Sequence, residues 1–297
     1  MEANDSIDIV IPWVNPNDSE WQKQFLFWKE KETGEKGDCR FRDMDTFNYW
    51  FRAVEKNCPW CRYIFLILAS KSQIPTWLNI DHPKLKIVYH DEFIPKNELP
   101  TFNSSVINCY LPFVSELGER YVLFNDDFFA VKPIKKESFF NNGMPVGRYV
   151  DDSNNNRKDY WSNNLRNGYR MYTKCTGDKI CYRPDHGAIP FLKSVNLFVW
   201  KKTKSDMTSA LSDSKFRKAK NITDWYFWGF HHILKKVYPG TCITQYYNCV
   251  TDFNSEKAVY CFNDNERLDT NEKFESFKSA VTKYLSKKFS DKSEFEK

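Results

Sequence analysis

The 297-residue chain is 28% charged and 41% hydrophobic, enough apolar material for one large α/β core or two small ones and too much for a disordered chain. A mild net charge of +5, with no stripe of lysine and arginine interleaved with aromatics, argues against a nucleic-acid partner and suits a small anionic substrate or a membrane surface. Aromatic residues reach 17%, which predicts thick cores and rings for stacking on sugars or bases.

The start, MEANDSIDIVIPWV, has neither the basic nor the long apolar region of a signal peptide. The longest apolar run, Tyr63–Ala69, falls far short of the ~20 residues of a membrane span. Nine cysteines in such a chain read as reduced thiols, so the expected location is the bacterial cytoplasm.

Residues 7–14 are β-branched and apolar and predict a buried strand, closed by the turn Asn15-Pro16-Asn17-Asp18. Asp18 then caps a helix through Trp21, Phe25 and Trp28. A second helix starts near Asp43, carries Phe47, Trp50, Phe51 and Val54 at helical spacing, and ends at Asn57 before Pro59. Strands follow at 62–69, 84–90 and 120–125, with a helix near 103–115 before the last. This alternation predicts an α/β fold: a mostly parallel central sheet with helices on both faces, its ligands beyond the carboxyl ends of the strands. Three polar clusters lie there: Asn15–Asp18, His90-Asp91-Glu92 and Asn125-Asp126-Asp127.

The second half reads differently. Residues 151–168, rich in Asn, Asp and Arg, predict a long loop, and 187–236 two or three helices within a helical subregion of about 187–240. Residues 258–265 are a short apolar run ending in polar groups. The expected organisation is one catalytic domain, 1–270, followed by an amphipathic helix in 271–297. That helix places Phe274, Phe277, Val281, Tyr284, Leu285 and Phe289 on one face and lysines around the rest. Such a face fits either an anionic membrane interface or the catalytic core, the core being the simpler reading.

Several groups have the chemistry of a site. The carboxylates of Asp126 and Asp127, at the end of a buried strand, suit Mg²⁺ or Mn²⁺, or else an exposed turn. Arg40 and Arg42, in front of the helix that Asp43 opens, suit phosphate, or else are solvated charges beside a cap. His186, close to Asp185, fits a base, a phosphate ligand or a structural imidazole, and Arg217 lies in a basic run. Cys58 and Cys61 have redox spacing, but the motif here follows a helix and opens a strand, so buried thiols are expected. Cys175 and Cys181 are poorly spaced for zinc, and His231-His232 on an aromatic helix reads as structural.

Taken in order, these blocks resemble the Stealth family of sugar-phosphate transferases, which includes bacterial capsule and exopolysaccharide enzymes and the animal N-acetylglucosamine-1-phosphotransferase. The resemblance is carried by DIVIPWVNPNDSEW, by the long block from RFRDMDTFNYWF to YVLFNDDFFAVKP, by DHGAIPFLKSV with KFR, and by VYCFNDN. It implies a nucleotide-diphosphosugar transferase-like fold with a helical C-terminal portion. It implies catalytic roles for Asp127, His186 and Arg217. Substrate-binding roles fall to Asn15, Asp18, Arg40, Arg42, Asp43, Asn108, Asn125 and Asn263, and metal-binding roles to Asp126, Asp127 and Asp264. Asn108 departs from a Glu common in the family, Asn221 from an Asp, and Gly187-Ala188 from a more usual x-Pro.

The reaction so implied takes a sugar 1-phosphate from a UDP-sugar to a hydroxyl of a glycan acceptor, lipid-linked in some pathways, releases UMP and uses Mg²⁺ or Mn²⁺. The enzyme would be cytoplasmic or peripheral to the inner membrane face. A conventional glycosyltransferase releasing UDP and an inactive glycan-binding module are the alternatives.

Overall fold

Strand β1 (Ile7–Pro12) lies inside the central sheet of the computed structural model, which describes residues 5–147, 149–179, 182–224, 226–233, 237–265 and 267–297. Ile7, Ile9, Val10 and Ile11 are all buried, as expected of a strand covered on both faces. Asp8 among them is fully buried too. Its charge is met by the Arg62 fork, Nε to Oδ1 at 2.7 Å and Nη2 to Oδ2 at 2.5 Å, and by the Gly118 amide at 2.8 Å.

The chain continues through α1 (Ser19–Lys31), α2 (Phe47–Asn57), β2 (Cys61–Leu68), β3 (Leu85–Tyr89), α3 (Ser104–Tyr110) and β4 (Arg120–Leu123). Short strands β5 (Phe128–Ala130), β6 (Phe140–Asn141), β7 (Met144–Gly147) and β8 (Tyr149–Asp151) lead to α4 (Tyr160–Thr176) and β9 (Tyr182–Pro184). Then come β10 (Ile189–Leu192), α5 (Lys193–Leu211), α6 (Tyr226–Ile233), β11 (Tyr238–Pro239), β12 (Thr244–Tyr247), β13 (Val259–Phe262) and α7 (Asn271–Lys288).

The main sheet has the order β10-β4-β1-β2-β3, with β10 antiparallel to β4 and every other pair parallel. Helices flank it on both sides, so the α/β expectation holds. The strand order reverses between β1 and β4, which opens a crevice at their carboxyl ends. A second sheet, β12-β13-β5, stands where β4 runs on into β5.

Two elements differ from expectation. Residues 160–176 form a helix rather than a loop. Its asparagines and Gly168 are weak helix formers, but tertiary contacts override propensity. Leu165, Met171 and Tyr172 are buried, Asp159 caps the N-terminus through the Ser162 amide at 2.8 Å, and Gly177 closes the C-terminus in the left-handed region. Asn164 and Asn167 donate to the Lys218, Ala219 and Asn221 carbonyls at 2.7–2.9 Å, so the polar composition serves packing. The region 187–240 also contains a strand, β10, whose four buried residues, one of them proline, fit an antiparallel edge position beside β4.

Helix α7 packs into the main core: Phe274, Phe277, Val281, Leu285 and Phe289 are all buried. Of the two readings of this apolar face, packing on the catalytic core is the one observed. Among the described residues no helix is long and apolar enough to cross a membrane. Beyond α7, the Arg52 fork on Glu296 (2.7 Å to each oxygen) pins the chain's end to α2. Phe277→Ala should cost about 3–5 kcal/mol in chemical denaturation, whereas Lys283→Ala on the exposed side should change stability by less than about 0.5 kcal/mol. Equal, small effects would show that the helix is not packed as described.

Candidate active site

At the carboxyl ends of β1 and β4 lies a cavity of about 670 Å³. Pro12, Trp13 and Val14 line it from the end of β1, and Asn125, Asp126 and Asp127 from the end of β4. Strand β13 pairs antiparallel with β5, and the Phe262 amide donates to the Asp127 carbonyl at 2.9 Å. This register brings Cys261, Asn263 and Asp264 to the acidic turn. On the other side Ile189 of β10 pairs with Leu123, which carries His186 to the same place.

Asp127 Oδ2 accepts from Asn263 Nδ2 at 3.1 Å and from the Cys261 thiol at 3.3 Å. Its Oδ1 is buried with no hydrogen-bond partner. Ligand atoms of Asp127, His186 and Cys261 lie within 4.8 Å of one another, close enough to share a metal ion. Asp126 is open to the cavity, yet the protein enclosing the cavity, with Asp127 alongside, pushes its pKa up to about 7. Burial lowers the pKa of His186 against the opposing pull of Asp127, and its ring stands edge-on to Phe128 at 5.2 Å.

The basic wall comes from two distant segments. Arg217 donates through Nη1 to Glu35 at 3.1 Å and through Nη2 to Ser104 at 2.7 Å, while its buried Nε has no hydrogen-bond partner. Burial first, and Arg40 second, lower its pKa to about 10 against the pull of Glu35. Glu35 also accepts from Arg40 at 2.6 Å. The Glu35 amide in turn donates to the Arg217 carbonyl at 2.8 Å. This contact needs Gly34, at φ +140°, because a Cβ there would lie 2.8 Å from Phe216 Cβ.

Arg40, Arg42, Asp43, Asn108, Asn125, Asp126, Asp127, His186, Arg217, Asn263 and Asp264, all singled out in the sequence, line this one cavity. Asn15 and Asp18 do not; they are used by the fold. Asp18 caps α1 through the Glu20 amide at 2.9 Å and accepts from Ser72 and Gln73 at 2.6 and 2.7 Å. Asn15 bonds Gln73 through its backbone, its amide at 2.6 Å from Oε1. Asp264, expected as a metal ligand, has both oxygens engaged by the Arg42 guanidinium. Of the His90 cluster only His90 lines the cavity, and burial lowers its pKa to about 4.

The remaining candidates are structural. Cys58 and Cys61 are free buried thiols whose pKa values burial raises, that of Cys61 to about 12. His231 accepts from the Leu192 amide at 3.0 Å and bonds the Phe227 carbonyl at 2.9 Å. Cys181 and the His232 side chain lie outside the described residues.

Sequence reasoning missed Glu35, Trp161, Arg183, Thr223, Asp224 and Tyr246, all of which line the cavity. Glu35 is hidden in a Lys/Glu-rich stretch that reads as solvated surface. Ile222-Thr223-Asp224 before an aromatic helix reads as a cap. Asp224 is instead buried, accepts from Asn108 Nδ2 at 3.3 Å, and has its pKa raised to about 6 by burial.

Residues 40–146 match the family model described as Stealth protein CR2, conserved region 2. The capsular polysaccharide phosphotransferase WcwK of Streptococcus pneumoniae is 32% identical over 98% of this chain and 99% of its own. The chain belongs to the Stealth family. A further relative, the capsular polysaccharide phosphotransferase fcs1 of Haemophilus influenzae, is 34% identical over 73% of this chain and 62% of its own. The solved galactosyltransferase LgtC, in complex with donor and acceptor sugar analogues, aligns over 97% of this chain and 98% of its own, at 10% identity and a TM-score of 0.48. As a Stealth protein the chain is an enzyme of the phosphotransferase class.

A buried carboxyl whose pKa is raised binds a proton in the folded state that the unfolded chain has released. Asp224 therefore costs stability progressively as pH rises from about 4 to about 6, and the cost remains above that. Asp224→Asn should melt higher than the wild type at pH 7–8, by a free energy on the order of 2–3 kcal/mol. The advantage should shrink to nothing as pH falls below 4 in melting curves. An advantage independent of pH would mean that the Asp224 carboxyl is not desolvated.

Proposed function

We propose that this Stealth enzyme transfers a sugar 1-phosphate from a UDP-sugar to a hydroxyl of a capsule or exopolysaccharide acceptor, forming a phosphodiester and releasing UMP. The observation that carries the reading is Arg217. Its side chain, 13% exposed, lies in the cavity wall, its charge is disfavoured by its surroundings, and its buried Nε has no protein partner. An anion in the cavity would complete it, and a phosphoryl group suits the planar fork.

In the proposed step the acceptor oxygen attacks the β-phosphorus as the bond to the α,β-bridging oxygen breaks. The electron pair leaves with UMP, and the hydroxyl proton passes to His186, whose lowered pKa keeps a neutral imidazole available as base. Arg217 and Arg40 would face the charge that develops on the phosphoryl oxygens. Arg42 acts at one remove, since it is committed to Asp264 and lies over the Phe274 ring.

Mg²⁺ or Mn²⁺ fits the acidic turn. Asp127 Oδ1 is a buried oxygen without a partner, and Asp126 is the adjacent carboxylate, a donor set suited to a hard cation. Asp127 and Asp126 would hold it, with Asp264 excluded by its pairing to Arg42. When bound, it supplies positive charge to the diphosphate. Burial and Asp127 raise the pKa of the Cys261 thiol, which suits hydrogen bonding to Asp127 better than ligating a hard ion.

A panel of UDP-sugars with Mg²⁺ and a capsule-repeat acceptor tests the reaction: UMP should accumulate, and accumulation of UDP in its place would establish glycosyl transfer instead. Arg217→Lys should lower kcat at least about 100-fold, or roughly 2.7 kcal/mol in barrier, because lysine keeps the charge and loses the fork. Near-normal turnover of that variant would reduce Arg217 to a structural charge.

A further inference from the structure

One corner of the cavity has no part in the step above. Asn108 projects from α3, and Thr223 and Asp224 come just before α6; all three line the cavity. Asn108 Oδ1 and Thr223 Oγ1 are buried with no hydrogen-bond partner, and Thr223 is only 5% exposed. The contact between Asn108 Nδ2 and Asp224 Oδ1, at 3.3 Å, is long. Buried polar atoms without partners are costly, and each native case calls for an explanation.

The corner is also rigid. Asn221, fully buried, donates to the Ala210 carbonyl at 2.7 Å and Ser214 Oγ at 2.8 Å. It accepts from the Lys218 amide at 2.6 Å and from Asn103 Nδ2 at 3.0 Å. The Thr223 and Asp224 carbonyls receive the Tyr226 and Phe227 amides at 3.1 and 2.9 Å. With the backbone fixed in this way, Asn108 Oδ1 and Thr223 Oγ1 keep no protein partner, which leaves them to a group that enters the cavity.

The chemistry of the corner restricts what that is. An amide oxygen and a carboxylate are acceptors and require donors. The threonine hydroxyl can donate or accept. Two acceptor groups side by side match neighbouring hydroxyls on one ring, and the carboxylate repels an anionic ring. Arg217, the proposed phosphate ligand, lines the same cavity as these three residues, so a sugar joined to that phosphate comes within reach. We infer that Asn108, Thr223 and Asp224 form a subsite that reads the ring hydroxyls of the donor sugar, a neutral hexose with vicinal hydroxyl groups. The inference rests on the UDP-sugar reading above and specifies the part of the donor that reading leaves open.

Calorimetric titration with UDP, UDP-glucose and UDP-galactose in Mg²⁺ tests it. The wild type should bind one of the UDP-hexoses about tenfold more tightly than UDP. Thr223→Val and Asp224→Asn should erase most of that ratio while leaving UDP affinity within about twofold, and Thr223→Ser, which keeps the hydroxyl, should retain it. Melting curves identify any variant that fails to fold, and the near-isosteric Thr223→Val then carries the test without Asp224→Asn. An unchanged ratio in the variants, or no preference of the wild type for either hexose over UDP, overturns the subsite. A defect confined to the acceptor KM assigns the corner to the acceptor ring and overturns the donor assignment. If UDP itself does not bind, the nucleotide-sugar reading falls and this inference with it, an outcome distinct from UDP binding without hexose discrimination.

Discussion

Holding Arg217 with most of its side chain out of water is the constraint on which the basic half of the site depends. A guanidinium taken out of water costs several kcal/mol unless it is paired and hydrogen-bonded. Here it shares one carboxylate, Glu35, with Arg40. Holding Glu35 in place takes a backbone bridge between residues 35 and 217 and a glycine in a conformation other residues avoid. It also takes a small aromatic cluster of its own: Trp21, Phe25 and Phe216, with Phe41 and Phe102 packed against them. Phe102 stacks on Phe216 at 5.2 Å, and the Phe102 amide bonds the Lys215 carbonyl at 2.8 Å. Val14 and Ala69, just beyond the carboxyl ends of β1 and β2, pack against it as well, so this satellite core sets the basic wall beside the sheet's ligand edge.

The acidic half depends on topology instead. The reversal between β1 and β4 leaves the crevice, and β5 turns out of the main sheet straight after Asp127. That turn lets β13 pair beside it and set Asn263 against the Asp127 carboxylate. The two halves meet through Arg42, which spans from the loop before α2 to Asp264 and the Leu268 carbonyl. Charges of opposite sign thus face one cavity, with Arg217, Arg42 and Asp127 each held by a partner behind it, the arrangement that electrostatic preorganisation requires.

The first half of the fold was legible because its strands are continuous apolar runs and its helices carry aromatic faces, signals that burial on both sides of a parallel sheet imposes directly. The residues lining the cavity from 40–43 and 125–127 were legible because charge at the end of a buried element is locally anomalous. Glu35 and Asp224 were not, since their meaning comes from partners 182 and 116 residues away. Asn15 and Asp18 carry a similar signal yet lie off the cavity. A polar turn after a buried strand looks like a ligand site, but here it closes on Ser72 and Gln73. Helix α4 was hidden because its asparagines bond a distant loop, which no local propensity records.

The register between β5 and β13 also has a consequence for biosynthesis. Asp127 leaves the ribosome long before Cys261, Asn263 and Asp264, and α7, which seals the core, follows later still. Until that last stretch is made, the carboxylate has none of these neighbours and Arg42 lacks its counter-ion. Assembly of the acidic half of the cavity is thereby deferred until residues 259–264 have been made. A chain that stops before β13 therefore presents Asp127 without the groups that surround it in the folded protein.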